Sequence, residues 1–133
     1  MSDNDKAAAK EPIRAAGAPA AIGPYSQGVS CGGLIFTSGQ LPIDGATGRL
    51  ESDIRAAARI CLENVAGIIE AAGSDVGRIL KVTVYLADMA DFEAVNAVYA
   101  DFFAGCVPPA RSCVQAAALP RGARLEIEAV AAR

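Results

Sequence analysis

The 133-residue chain has no histidine and no tryptophan, and only three tyrosines and four phenylalanines. Without imidazole there is no His-dependent triad and no His metal ligand, so chemistry falls to Arg, Glu, Asp, Tyr, Ser, Cys or backbone groups. Basic charge is also short: twelve Lys and Arg against fifteen Asp and Glu leave a net charge of −3. The bases are scattered and aromatics are few, which excludes a phosphate-backbone footprint and a base-stacking platform; no nucleic-acid partner is expected. Long apolar runs are missing too. Glu63 and Glu70 interrupt the best candidate, so no membrane span of about 18 residues is expected. The four cysteines, Cys31, Cys61, Cys106 and Cys113, match neither zinc nor redox spacing. They read as reduced thiols of a cytoplasmic protein rather than a disulfide framework.

What remains is 53% hydrophobic and 20% charged, a folded composition with more apolar residues than so small a body usually carries. A buried subunit interface would absorb the excess. Residues 1–10 are polar and alanine-bearing, with Asp3 and Asp5 and no apolar stretch of signal-peptide length; they read as a flexible arm. Residues 11–133 then form a single domain, of a size that buries roughly two-thirds of its unfolded surface.

Two β-prone runs, 25–31 and 34–38, flank Gly32-Gly33, the pattern of a hairpin with a two-residue turn. Residues 39–48, with Pro42 and Asp44-Gly45, read as loop or edge structure. From 53 to 72 the apolar residues Ile54, Ala58, Cys61, Leu62, Val65, Ile68, Ile69 and Ala72 recur at threes and fours, predicting a helix capped by Ser52 and ended by Gly73. Residues 79–86 alternate, with Leu80, Val82, Val84 and Leu86 on one side, and so read as a strand. A second helix over 91–103 buries Phe92, Val95, Tyr99, Phe102 and Phe103 and carries Asn96 at the border of that stripe. Strands over 111–117 and 124–131 follow, separated by the turn Leu119-Pro120-Arg121-Gly122. The order β-β-α-β-α-β-β predicts an α+β fold: a mixed sheet with both helices packed on one face and a second copy of the chain covering the other.

Candidate functional residues cluster late in the chain. Arg111 opens a strand among small and apolar neighbours, and desolvating a guanidinium is costly unless an anion meets it, so a pocket for a carboxylate or phosphate is expected. Period two puts Arg111 and Cys113 on one face, and Glu126 and Glu128 together on one face of the last strand. If those two strands are neighbours, cation and carboxylate share a cleft. The plainer readings are an Arg111–Glu126 ion pair, solvated glutamates and an inert Cys113 thiol. Tyr25 can be packing beside a turn, Ser38 a local turn hydrogen bond, and Asn96 a tie between helix and loop.

Six separated motifs, in order, carry a resemblance: Ile22-Gly-Pro-Tyr-Ser-Gln27, Phe36-Thr-Ser-Gly-Gln40, Val82-Thr-Val-Tyr-Leu86, Phe92-Glu-Ala-Val-Asn96, Pro109-Ala-Arg-Ser-Cys113 and Leu125-Glu-Ile-Glu-Ala129. From about Ile13 to the end, the chain resembles the RidA/YjgF family of enamine/imine deaminases. The resemblance implies a chorismate-mutase-like subunit, a homotrimer with sites between subunits, and hydrolysis of 2-iminopropanoate and 2-iminobutanoate to 2-oxo acids and ammonia. It implies that Arg111 binds the substrate carboxylate, that Glu126 holds or activates water with Glu128 as structural partner, and that the Cys113 carbonyl accepts from the substrate nitrogen. Tyr25, Ser38, the Gly39 amide and Asn96 match the remaining pocket positions. No metal or organic cofactor is implied, since imines already hydrolyse in water and orientation lowers the barrier further. Two other roles are open: the endoribonuclease or translation-inhibitor activity with which such proteins have been labelled, and a non-catalytic carboxylate-binding or chaperone-like trimer.

Overall fold

The computed structural model describes residues 9–133, so the arm read over residues 1–10 lies outside the described residues but for its last two positions. Six strands and two helices follow: β1 (Glu11–Ile13), β2 (Gly28–Cys31), β3 (Leu34–Thr37), α1 (Ile54–Ala71), β4 (Ile79–Leu86), α2 (Phe92–Phe102), β5 (Ala110–Gln115) and β6 (Leu125–Ala132). They form one mixed sheet in the order β1-β2-β3-β6-β4-β5, in which β4 and β5 are parallel and every other pair is antiparallel. β3 and β4 both run antiparallel to β6 and hence share a direction. Each helix therefore makes a crossover between co-directional strands, as the element order implied.

The last strand lies at the centre. Leu125, Ile127, Ala129 and Ala131 alternate inward along β6, at 0–3% exposure, and β6 slots between β3 and β4. Both helices cover this face. Cys61, Leu62, Val65, Ile68 and Ile69 of α1 pack with Ile35, Val82, Val84 and Leu86, and Val95, Tyr99 and Phe103 extend the same core at α2. Each such Leu or Ile contributes about 1.5–3 kcal/mol by burial. The contact is close enough to dictate a glycine: a Cβ on Gly28 would lie 2.8 Å from Ile68 Cγ2 and 2.9 Å from the Phe36 carbonyl oxygen. Among the described residues no helix is long and apolar enough to cross a membrane.

Four local expectations are corrected. Asp53, not Ser52, caps α1, because its carboxylate accepts from the Ala56 N–H at 3.0 Å. Gly73, at φ +86°, does end the helix. Leu80 is 48% exposed rather than inward, since a register shift between Ile79 and Lys81 turns it out and gives the core position to Ile79. The first run starts as a strand only at Gly28. Residues 25–27 stay outside the ladder, where the buried Gln27 amide binds Ala15, Ala18 and Pro19. Finally, Glu11–Ile13 pairs with β2 as a further strand. Three residues with Pro12 at their centre are too short for alternation to register.

Among the described residues no helix covers the opposite sheet face. There Leu34, Phe36 and Val114 are 40–45% exposed, beside half-buried Lys81, Thr83, Tyr85, Glu126 and Glu128.

Candidate active site

The functional candidates fall into two groups, one on each face of the sheet. Arg111 belongs to the helix side. Phe92, Asn96 and Tyr99 recur at spacings of four and three along α2 and so present one stripe to β5. The Arg111 guanidinium lies 4.6 Å from the Tyr99 ring centre and 5.5 Å from that of Phe92, and its Nη1 donates to Asn96 Oδ1 at 2.8 Å. Two ring faces and one amide oxygen thus hold the cation and leave part of its donor fork free for an anion. The guanidinium borders an open cavity of about 520 Å³, shared with Asn96, Tyr99, Phe103, Cys106 and Pro109.

Cys113 sits two residues further along β5, on the same side, with its thiol packed toward the core. Burial pushes that thiol up from its ordinary value and the Arg111 charge only partly offsets this, so it is no ready nucleophile. Its backbone faces elsewhere. Among the described residues β5 is one edge of the sheet, and Ala116 N–H donates to the Leu86 carbonyl. Alternation therefore turns the backbone groups of Ser112 and Val114 toward β4 and those of Arg111 and Cys113 toward the open edge.

Glu126 belongs to the uncovered face. Gln40 and Ile127 exchange both backbone hydrogen bonds, at 2.7 and 3.0 Å, which seats Gly39 beside Glu126. A Cβ on Gly39 would overlap the Glu126 carboxylate. The Gln40 amide, itself buried, donates to the Ser38 carbonyl and stiffens this approach. Desolvation in the crevice, and then the charge of Glu128, raise the Glu126 carboxyl above its ordinary value. Tyr85 stands opposite Glu126 across the β4–β6 ladder, and its hydroxyl donates to Glu128 Oε1. With Ala116, Ala118, Leu119 and Pro120 these residues border a groove of about 350 Å³.

Tyr25 and Ser38 frame the same side. Tyr25 is 53% exposed, its hydroxyl accepts from the Ile22 N–H at 3.2 Å, and it lines the adjoining groove with Gly39 and Pro120. Ser38 Oγ donates to the Ser26 carbonyl at 2.6 Å, tying the Tyr25 segment to Gly39.

The structure thus brings Arg111, Asn96 and Cys113 together, and Glu126, Gly39, Ser38 and Tyr25 together, but not the two groups with each other. The shared cleft expected of adjacent strands is not formed within one chain. β4 lies between β5 and β6, and the side chains point from opposite faces. No Arg111–Glu126 ion pair forms; the partner of the guanidinium is Asn96. A larger depression, about 680 Å³ along Pro12, Ala16, Ala20 and Gln27, is lined mainly by apolar and small residues, and its Gln27 amide is already spoken for. Reading the sequence overlooked the part played by Tyr85, Phe92 and Tyr99. The helical spacing 92–96–99 carried the signal for the last two, and only strand register carries it for Tyr85.

A family model described as Endoribonuclease L-PSP matches residues 15–133. A protein of Salmonella typhimurium named 2-iminobutanoate/2-iminopropanoate deaminase is 53% identical over 118 residues, spanning 87% of this chain and 92% of its own. The Escherichia coli K12 protein of the same name is 52% identical, with the same coverage. Among solved structures, E. coli TdcF with bound serine superposes with a TM-score of 0.91 at 49% identity, covering 92% of this chain and 98% of that one. The E. coli YjgF gene product also gives 0.91, at 50% identity and with the same coverage.

Proposed function

Because this chain belongs to the RidA/YjgF family, which the Endoribonuclease L-PSP model describes, we propose that it hydrolyses small 2-imino acids, 2-iminopropanoate and 2-iminobutanoate, to 2-oxo acids and ammonia. The observation that carries this reading is the pair of open half-sites, a preset guanidinium on one sheet face and a carboxylate of raised proton affinity on the other. One holds a carboxylate and the other handles water, and an imino acid needs both.

A second copy supplies the missing half, with Arg111, Asn96 and Cys113 of one protomer meeting Glu126, Gly39, Ser38 and Tyr25 of the next. A homotrimer closes this head-to-tail arrangement and covers Leu34, Phe36 and Val114. Arg111 grips the substrate carboxylate through two charge-assisted bonds and fixes the adjacent C=N carbon. The outward carbonyl of Cys113 accepts from the iminium N–H, favouring the protonated, more electrophilic form. Glu126 takes a proton as water oxygen bonds to that carbon. It then returns that proton to nitrogen; as the C–N bond breaks and the C=O forms, it takes the remaining hydroxyl proton and passes it to the departing ammonia, so that iminium acid and water give 2-oxo acid and ammonium. The solved relative with bound serine supports a pocket for a small α-amino acid skeleton.

The test mixes two strongly impaired variants. Arg111→Ala and Glu126→Gln are co-expressed, or unfolded and refolded together, and 2-oxo acid release is followed while an amino-acid oxidase generates the imine. Each variant alone keeps about a hundredth or less of the wild-type acceleration. Random mixing restores roughly a quarter of the wild-type sites, because one junction in four joins an intact Arg111 to an intact Glu126. Absence of recovery in verified mixed assemblies overturns the shared site, and a wild-type protein that leaves the rate unchanged overturns the deaminase.

A further inference from the structure

Two carboxylates on one strand face present a question of proton ownership that sequence alone leaves open. Glu126 and Glu128 point the same way from β6, and the register sets Tyr85 opposite Glu126 and Thr83 opposite Glu128. From its place Tyr85 reaches diagonally and gives its hydroxyl hydrogen to Glu128. Glu126 receives nothing equivalent among the described residues: its near neighbour is Gly39, which has no side chain. We propose that Tyr85 and Glu128 are positioning residues that assign the proton of this pair, Tyr85 holding Glu128 as the anion so that the proton goes to Glu126.

Two like charges so close resist joint ionisation, and a donor on one member stabilises that member's charged form. The other member is then the one that protonates first as pH falls. Tyr85 remains a donor under working conditions, because its bond to Glu128, with burial and both carboxylate charges, raises the phenol from its ordinary value. The remaining groups around Glu126 do not reverse the assignment. Lys81, further along β4, has its ammonium on Ser112 Oγ at 2.9 Å. Cys61 of α1, through the sheet, is a buried thiol held neutral first by desolvation and then by the Glu126 charge. Arg121 lies in the turn before β6, beyond Pro120, on the groove it shares with Gly39 and Tyr25.

The inference rests on Glu126 being the water-handling group, for which a proton affinity nearer the working pH is an advantage. Two readouts separate its failure from that of the deaminase reading. Carboxyl 13C signals of glutamate are titrated in wild type, Glu128→Gln and Tyr85→Phe, and kcat/KM is measured against pH in the same proteins. In wild type, Glu126 titrates above the ordinary carboxyl range. Glu128→Gln lowers the Glu126 midpoint; Tyr85→Phe lowers it less. The acid limb of the rate profile moves to lower pH in both variants. Unmoved midpoints overturn the assignment even if hydrolysis is present, as does a rate lowered evenly at every pH. Midpoints that move as expected in a protein without hydrolytic activity uphold the assignment and sink the deaminase.

Discussion

Around Arg111 the surroundings lower the cost of a charge: two aromatic faces, an amide oxygen and an open cavity receive the guanidinium. Around Glu126 they raise it, since the carboxylate is pressed against Gly39, partly desolvated, and beside a second carboxylate. Both groups sit on strands of one sheet, two ladders apart, yet one is prepared to stay charged and the other to exchange a proton. Binding calls for a permanent charge, whereas acid/base work calls for a group that can change it.

The sharpest break in this contrast is Arg111→Ala. It removes the permanent charge of its half-site and should lower kcat/KM about 100-fold or more, read from coupled 2-oxo acid release, with the circular dichroism spectrum unchanged. Arg111→Lys should recover little, because a point charge lacks the planar fork.

Gly39→Ala attacks the other half by steric means. The new methyl claims the space of the Glu126 carboxylate, and a loss of about tenfold in kcat is expected. A double-mutant cycle with Glu126→Gln checks the cause: the two losses should fall far short of adding, because both act on one carboxylate. Simple additivity would mean that the methyl acts elsewhere.

Asn96→Ala loosens the cation without removing it. One hydrogen bond to a charged group is lost, so KM should rise roughly three- to tenfold while kcat stays near wild type. A fall in kcat with KM unchanged would place Asn96 in the chemistry instead.

The smallest effect is thermodynamic. Glu126 is raised when folded, so relative to the unfolded chain its contribution to stability is fully present in acid and is lost as pH rises through its folded-state value. Glu126→Gln should therefore raise the melting midpoint by about 1–2 °C at neutral pH, and the gain should fade in acid as the wild-type side chain takes up its proton. A gain that persists in acid would point to packing rather than charge.

Much of the framework was legible. The 3.6-residue period of α1 and the alternation of β6 each follow from a hydrophobic pattern that only one secondary structure can bury, and both elements form as read. Motif spacing likewise pointed to the family before any coordinate. What escaped were features in which distant segments meet. The Asp53 cap depends on which of two adjacent polar side chains reaches Ala56, and Leu80 turns outward because of a register shift with β6. The Tyr85–Glu128 bond spans 43 positions along the chain.

The order of residues by itself determined both helices, the sidedness of β6 and the chemical types available, because period and composition act locally. Strand order was decided only in three dimensions. β6 enters between β3 and β4, which keeps β5 from it and sets Arg111 and Glu126 two ladders apart. Which strands pair depends on how the whole apolar surface can be buried at once, a property of the collapsed chain that no single segment contains.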